Sequence, residues 1–204
     1  MPVKPAGLIL AGGLSRRMGG GDKALLPLAG KPMLARVIAA LEHQAWPLAV
    51  NANGDPSRFA GFGLPVVPDT IEGFAGPLAG ILAGLEWCAR LEPAPPCLLT
   101  VPADTPFLPH DLAARLEAAA SPGAPCVAMS GGRVHPVAAL WPVAMRHDIA
   151  AFLGQPDNSS VMVFLRSHAF TSATFPCPEG RDPFANVNTP ADLAMAELRI
   201  AEGG

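Results

Sequence analysis

Four separate stretches of this 204-residue chain carry residue types suited to holding a phosphorylated ligand, and each follows an apolar run. The first is Leu10-Ala11-Gly12-Gly13-Leu14-Ser15-Arg16-Arg17-Met18-Gly19-Gly20-Gly21-Asp22-Lys23. It has neither the Gly-Lys-Ser/Thr ending of a Walker A loop nor the Gly-x-Gly-x-x-Gly spacing of a dinucleotide fold. Its glycines still let backbone N–H groups approach an anion with no Cβ in the way, and Arg17 and Lys23 can supply positive charge as an α-phosphate becomes pentacoordinate. The second and third are Asn51 and Asp69, and the fourth is Asp104 in Pro102-Ala103-Asp104-Thr105-Pro106. A carboxylate after a strand can hold Mg²⁺, which takes one or two protein carboxylates and completes its shell with phosphate oxygens and water. Taken singly, each feature has a plainer reading: a glycine turn, a turn-starting Asp, a strand-ending Asn. Their convergence is the stronger signal, because ligands of open α/β sheets bind beyond the carboxyl ends of the strands.

The elements that must bring these residues together follow from the spacing of apolar positions. Residues 6–11 form an apolar run bounded by glycine, the pattern of a parallel strand covered on both faces. A loop spans 12–22, and Pro32 opens a helix in which Leu34, Val37, Ile38 and Leu41 share a face. Strands are expected at 47–50, 65–67 and 97–101. A helix opened by Pro77 carries the stripe Leu78, Ile81, Leu82 and Leu85, and another starts near His110 with Leu112 and Leu116. Residues 126–129 and 134–141 flank Ser130-Gly131-Gly132-Arg133, which predicts an antiparallel hairpin added to the parallel sheet. Further helices are expected at 143–153, at 161–166 with Ser160 as cap, and after Thr189-Pro190-Ala191-Asp192, where Thr caps, Pro takes the first helical position and Asp the first turn. The predicted fold class is α/β: three Rossmann-like layers around a mostly parallel sheet, in one domain spanning 1–204.

Composition narrows the classes. Half of the residues are hydrophobic, enough for one α/β core and too short a chain for two ordinary enzyme domains. The opening Met1-Pro2-Val3-Lys4-Pro5 leads into no secretory segment, and no stretch approaches roughly 18 unbroken apolar residues, so the expected location is cytoplasmic, with no membrane partner. A net charge of −3 offers no general reason to bind nucleic acid. Six of the 14 basic residues nevertheless fall at Lys4, Arg16, Arg17, Lys23, Lys31 and Arg36, with Asp22 the one acid among them, a concentration able to attract polyphosphate or to form a solvated basic face. Cys88, Cys97, Cys126 and Cys177 show no Cys-x-x-Cys pair and no His at ligand spacing, which reads as buried thiols without zinc or disulfides.

The run Leu-Ala-Gly-Gly-x-Ser-x-Arg-Met-Gly-x-x-Asp-Lys at 10–23 resembles the signature of molybdenum cofactor guanylyltransferases. The likeness continues in the family's order through Gly30-Lys31-Pro32-Met33, Val50-Asn51-Ala52-Asn53, Pro68-Asp69, Gly76-Pro77-Leu78-Ala79-Gly80, Asp104-Thr105-Pro106, His135-Pro136 and Asn186-Val187-Asn188-Thr189-Pro190, and so covers nearly the whole chain. The resemblance implies a nucleotidyltransferase fold with a nucleotide-binding N-terminal part and an acceptor-binding C-terminal part. It implies transfer of GMP from Mg-GTP to the terminal phosphate of molybdopterin, with or without molybdenum, and release of pyrophosphate. By position it implies GTP contacts from Leu10, Ala11, Gly12, Gly13, Lys23, Asn51 and Asp69, makes Asp104 the Mg²⁺ ligand, and puts Arg133, His135, Asn186 and Asn188 near the pterin substrate. His135 before Pro136 is equally readable as a packed histidine, and Asn188 as the start of a turn. Family members with Gly-Gly after Leu-Ala favour GTP, whereas the related cytidylyltransferases usually have Ala-Gly there. Molybdoenzyme maturation proteins are implied partners, and a homo-oligomer is compatible. Two departures stand out: the glycine-richer Gly19-Gly20-Gly21, and Asn158-Ser159-Ser160 where relatives often carry basic residues.

An acceptor phosphate is already an anion at neutral pH, so such a transfer needs positioning and charge neutralisation from Arg17, Lys23 and Asp104 rather than a general base. The same fold also serves cytidylyltransferases and sugar-1-phosphate nucleotidyltransferases. A non-catalytic nucleotide- or cofactor-binding module is the alternative from a different class.

Overall fold

A computed structural model describes residues 4–12, 22–71, 76–155, 159–178 and 181–203. The expectations placed on Gly13, Arg16, Arg17, the three glycines 19–21 and Asn158 lie outside these residues. The strands are β1 (Ala6–Leu10), β2 (Pro27–Leu28), β3 (Lys31–Pro32), β4 (Leu48–Asn51), β5 (Val66–Val67), β6 (Cys97–Pro102), β7 (Cys126–Ser130), β8 (Arg133–Pro142) and β9 (Thr171–Phe175). The helices are α1 (Met33–Leu41), α2 (Pro77–Cys88), α3 (Leu112–Ala119), α4 (Arg146–Leu153), α5 (Val161–Ser167) and α6 (Pro190–Ala201). No described helix is long and apolar enough to cross a membrane.

Seven strands pair in the order β5-β4-β1-β6-β8-β7-β9. All run one way except β8, which is antiparallel to both β6 and β7. The predicted hairpin is therefore present, but it is threaded into the sheet: β8 pairs with β6 and pushes β7 outward, and β9 then adds a parallel edge that the sequence reading did not expect. A small antiparallel ribbon, β2 with β3, turns through Ala29 and Gly30, both at positive φ. It uses Pro32 as a strand residue paired with Pro27, so Pro32 sits at the N-cap of α1 and not inside its first turn.

Alternation of side chains along the strands divides the core into two layers. On one face Ile9, Leu99, Val101 and Leu140 pack with Leu34, Val37 and Leu41 of α1 and with Leu112 and Leu116 of α3. On the other, Leu8, Leu98 and Trp141 pack with Leu78, Ile81, Leu82 and Leu85 of α2, Ile149 of α4 and Phe164 of α5. Of the four cysteines, all unpaired, Cys88 and Cys126 are buried as expected, whereas Cys97 is half-buried and Cys177 exposed. Burial pushes the Cys88 thiol up to about 12.

Register decides what the sheet can present. Leu10 lies level with Asn51 of β4 on one side and with Pro102 of β6 on the other, and Asn51 lies level with Val67 of β5. Backbone bonds continue one step further, from Ala11 N to Asn51 O (2.9 Å) and from Ala103 N to Leu10 O (3.0 Å). Four strands thus end together, and the segments bearing Gly12, Asn51, Asp69 and Asp104 leave from one edge.

The C-terminal helix returns to that edge. Thr189 Oγ1 accepts from Asp192 N (3.1 Å), and Asp192 Oδ2 accepts from Thr189 N (2.8 Å) and Asn188 N (2.9 Å), a reciprocal cap that fixes where α6 begins. Thr189→Ala is expected to destabilise the protein by about 1 kcal/mol, a fall of roughly 2–4 °C in Tm by thermal denaturation.

Candidate functional site

Lys23 opens a single 3-10 turn, Lys23–Leu25, directly after Asp22. Arg58 Nε meets Asp22 Oδ2 at 3.0 Å, which ties this end of the glycine loop to the turn Pro56–Phe62. The Lys23 ammonium then donates to Asp104 Oδ2 at 2.5 Å and to Asn188 Oδ1. Three chain segments meet at this one cation: the loop after β1, the end of β6 and the approach to α6. The Lys23 and Asp104 side chains keep only 15% and 20% of their exposure, so the pair is largely shielded from screening by water. Asp104 Oδ1 is buried and has no hydrogen-bond partner among the described residues. A buried carboxylate oxygen left unpaired is costly, and a cation or a donor brought by a ligand would satisfy it.

A second cluster lies one strand over. Asn51 is 4% exposed, and its Nδ2 donates to Val67 O (3.0 Å) and to Asp69 Oδ1 (2.9 Å). Asn53, marked in the sequence only by its place in Val50-Asn51-Ala52-Asn53, donates from Nδ2 to Asp69 Oδ2 (2.8 Å) and accepts from Asp69 N (2.8 Å). The Asp69 carboxylate is therefore held by two asparagines spaced two residues apart. Room for Asn51 comes from α2: a Cβ on Gly80 would lie 2.3 Å from Asn51 Oδ1 and 2.5 Å from Leu10 Cδ2.

The four residues expected on the acceptor side separate into two groups. Asn188 joins Lys23, and Asn186 accepts from Thr105 Oγ1 at 3.1 Å, so both belong to the Asp104 neighbourhood. Val187 N between them donates to Asp104 O (2.9 Å). His135 has other company: its Nε2 lies 2.7 Å from Ser130 Oγ, and its ring stacks on Phe184 at 4.7 Å between centroids. Burial lowers the His135 pKa, against an opposing pull from Asp182, which favours the neutral ring near pH 7. Arg133 is exposed at the start of β8, where its charge also acts to lower the pKa of His135. Ser130 and Asp182 were invisible in the sequence because nothing local marks them as partners.

Among the described residues no group of three or more His, Cys, Asp and Glu could hold a metal by itself. A site with one carboxylate and phosphate-supplied oxygens remains chemically available at Asp104. Gly80→Ala is expected to expel the Asn51 carboxamide and to release its side-chain N–H groups, read as faster exchange of the Asn51 amide resonance. Gly61→Ala, where an added Cβ meets nothing within 4 Å, leaves that resonance unchanged.

Residues 7–170 match the family described as MobA-like NTP transferase domain. A molybdenum cofactor guanylyltransferase of Bradyrhizobium sp. (strain ORS 278) is 53% identical across 96% of this chain and 92% of its own length. Another, from Mesorhizobium japonicum, is 51% identical across 94% and 93%. In structure, the chain is similar to molybdopterin-guanine dinucleotide biosynthesis protein A from Archaeoglobus fulgidus, with TM-score 0.72, 19% identity and coverage of 97% and 99%. It is also similar to a CMP:2-keto-3-deoxy-manno-octonic acid synthetase complexed with CTP, with TM-score 0.71, 15% identity and coverage of 98% and 100%. At that identity the structures establish the shared fold. With half of its residues identical to full-length guanylyltransferases and most of its length inside the family's boundaries, the chain is a nucleotidyltransferase and belongs to the molybdenum cofactor guanylyltransferase family.

Proposed function

We propose that this enzyme uses the Lys23–Asp104 rim to transfer GMP from GTP to the terminal phosphate of molybdopterin, with release of pyrophosphate. The carrying observation is the Lys23 ammonium 2.5 Å from one Asp104 oxygen while the other is buried and unpaired among the described residues. The donor set fits Mg²⁺, with Asp104 the residue that would hold it. Bound there, the ion would draw triphosphate oxygens together and offset the charge of the departing pyrophosphate. Lys23 contributes a cation already oriented by Asp104 and Asn188, so little reorganisation is needed as charge builds on the reacting phosphate. No side chain has to remove a proton, because the acceptor phosphate is ionised at neutral pH. Arg17 of the glycine loop is assigned the same charge-stabilising role as Lys23.

The nucleotide side of this reading comprises Leu10, Ala11, Gly12, Gly13, Asn51 and Asp69. The acceptor side comprises Asn186 and Asn188. A groove of about 360 Å³ adjoins them through Asn186 and Asp192, and Phe107, Val187, Met195 and Arg199 form other parts of its wall, a volume in the range of small-molecule sites. His135 is not assigned direct acceptor contact, since its described partners are Ser130, Asp182 and Phe184, whereas Arg133, exposed at the start of β8, is kept as a further proposed acceptor contact.

The test is product analysis after mixing the enzyme with molybdopterin, Mg²⁺ and either GTP or CTP. Guanine dinucleotide and stoichiometric pyrophosphate from GTP are expected; product from CTP alone, or none from either, overturns the proposal. Lys23→Ala is expected to lower kcat/KM by roughly 10² or more, the scale of one lost preorganised donor, and near wild-type turnover would remove Lys23 from this role. Asp104→Ala should abolish metal-dependent transfer; an unchanged Mg²⁺ dependence places the cation elsewhere. Gly12→Ala isolates base choice, because the added Cβ would find only Asn51 Oδ1, at an ordinary 3.8 Å, among the described atoms. It is expected to shift the GTP-to-CTP ratio of kcat/KM toward CTP, and an unchanged ratio removes Gly12 from that choice.

A further inference from the structure

Ser130, the last residue of β7, is fully buried and polar, which demands an account. Its Oγ donates to Asp182 Oδ1 at 2.7 Å. A hydroxyl has one proton, and an ionised carboxylate can only accept, so the lone pairs of Ser130 Oγ are what face His135 Nε2 at 2.7 Å. His135 must therefore carry a proton on Nε2 and donate it. The chain runs His135 to Ser130 to Asp182, with His135 Nε2 also 4.0 Å from Asp182 Oδ2. This is not a nucleophile geometry. The serine hydroxyl points its proton at the carboxylate and not at the imidazole, so nothing activates it for attack.

The far end of this chain is the start of residues 182–188. Asp182 Oδ1 also accepts from Phe184 N (2.9 Å), and Asp182 O accepts from Ala185 N (3.3 Å) and from Arg199 of α6 (3.0 Å). Phe184, 3% exposed, is clamped between the His135 ring and the edge of Phe175, at 4.7 and 5.2 Å between centroids. Two to four residues on, Asn186 takes the Thr105 proton, Val187 N binds Asp104 O, and Asn188 holds Lys23. One short segment is thus pinned to the hairpin at its start and to the candidate reacting centre at its end. Asp182 is free to stay ionised: burial opposes its charge, but the Phe184 N–H, the Ser130 hydroxyl, His135 whenever it is protonated, and Arg133 bring its pKa below the usual value.

We infer that Ser130, His135 and Asp182 form a latch outside the reacting centre that positions residues 184–188, and through Asn188 the Lys23 ammonium, for group transfer. The inference rests on the role proposed for Lys23. The three are positioning residues: the described side-chain partners of Ser130 are His135 and Asp182, within the latch itself.

The test compares Ser130→Ala, His135→Leu, His135→Gln, Asn188→Ala and Ser130→Ala/Asn188→Ala with the wild type. Ser130→Ala and His135→Leu are expected to lower kcat about tenfold while KM for GTP stays within about twofold, since misplacing a group costs rate more than ground-state binding. His135→Gln, whose Nε2 can still donate to Ser130 Oγ, is expected to restore most of the rate. If the latch acts through Asn188, Ser130→Ala costs little more once Asn188 is already alanine, because effects along one chain do not add. Independently of activity, the Phe184 and Val187 amides in Ser130→Ala are expected to exchange with solvent at least ~10-fold faster, while those of β6 are unchanged. Additive losses in the double variant, unchanged exchange at Phe184 and Val187, or equal acceleration across β6 overturn the latch. A wild type that makes no dinucleotide product overturns the transfer reading instead, and the exchange measurement then decides the latch alone.

Discussion

One lysine ammonium holds the candidate functional edge of this protein together. Lys23 reaches Asp104 across 81 positions of sequence and Asn188 across 165, so the loop after β1, the end of β6 and the entry to α6 are joined at a single point of positive charge. Because the pair is mostly withdrawn from water, losing one partner would leave the other as an uncompensated charge in a poorly solvated place. The arrangement orients the lysine before any ligand arrives, and the entropy of fixing a long flexible side chain is already spent in folding. Nothing in the pair itself selects a base or an acceptor. On the proposed function that choice would fall to the segments it tethers, since a shared fold does not by itself set the ligand.

The pair can form only because the sheet is level. With Leu10 set between Asn51 and Pro102, a shift of one residue in either pairing would carry a core side chain to the wrong face and withdraw its loop from the edge. The two apolar layers enforce that register independently, Ile9 and Val101 on one side, Leu8 and Leu98 on the other. Helix α2 adds a finer constraint. Its glycines let it lie against the strands so closely that Gly84 would meet Leu8 Cδ2 at 2.4 Å through a Cβ, and the same approach at Gly80 makes the slot for Asn51.

Much of this was legible in the sequence where the determinants are local. Thr189-Pro190-Ala191-Asp192 encodes its own cap, and the structure has Thr189 at the N-cap and Pro190 at the first helical position, with a return bond from Asp192 to the cap backbone besides. Asn51, Asp69 and Asp104 were readable as edge residues because each follows an apolar run. The placement of β8 was not, since pairing with β6 or with β7 satisfies the same apolar pattern and only the closed core discriminates. Strand β9 escaped because it is short and half polar: Ala173 and Phe175 are buried while Ser172 and Thr174 face out. Pro32 reads as a helix opener, but it ends a ribbon that its local sequence does not mark, with Pro27 opposite it and the Leu26 carbonyl accepting from Met33 N at 3.0 Å. His135 carried two readings in sequence, and its packed environment became visible only once Phe184 and Asp182 were folded back upon it.

The described donor set around Asp104 would supply a divalent cation with one free carboxylate oxygen and little else. A cation held there would find most of its ligands on the triphosphate, and the triphosphate would find part of its charge balance on the cation. Each would then be a weak visitor alone and a strong one in the other's company, and thermodynamic linkage requires the two enhancements to be equal. An enzyme built this way would keep its lone carboxylate from sequestering free metal, and would make the loaded nucleotide, not the ion, the species that commits it to reaction.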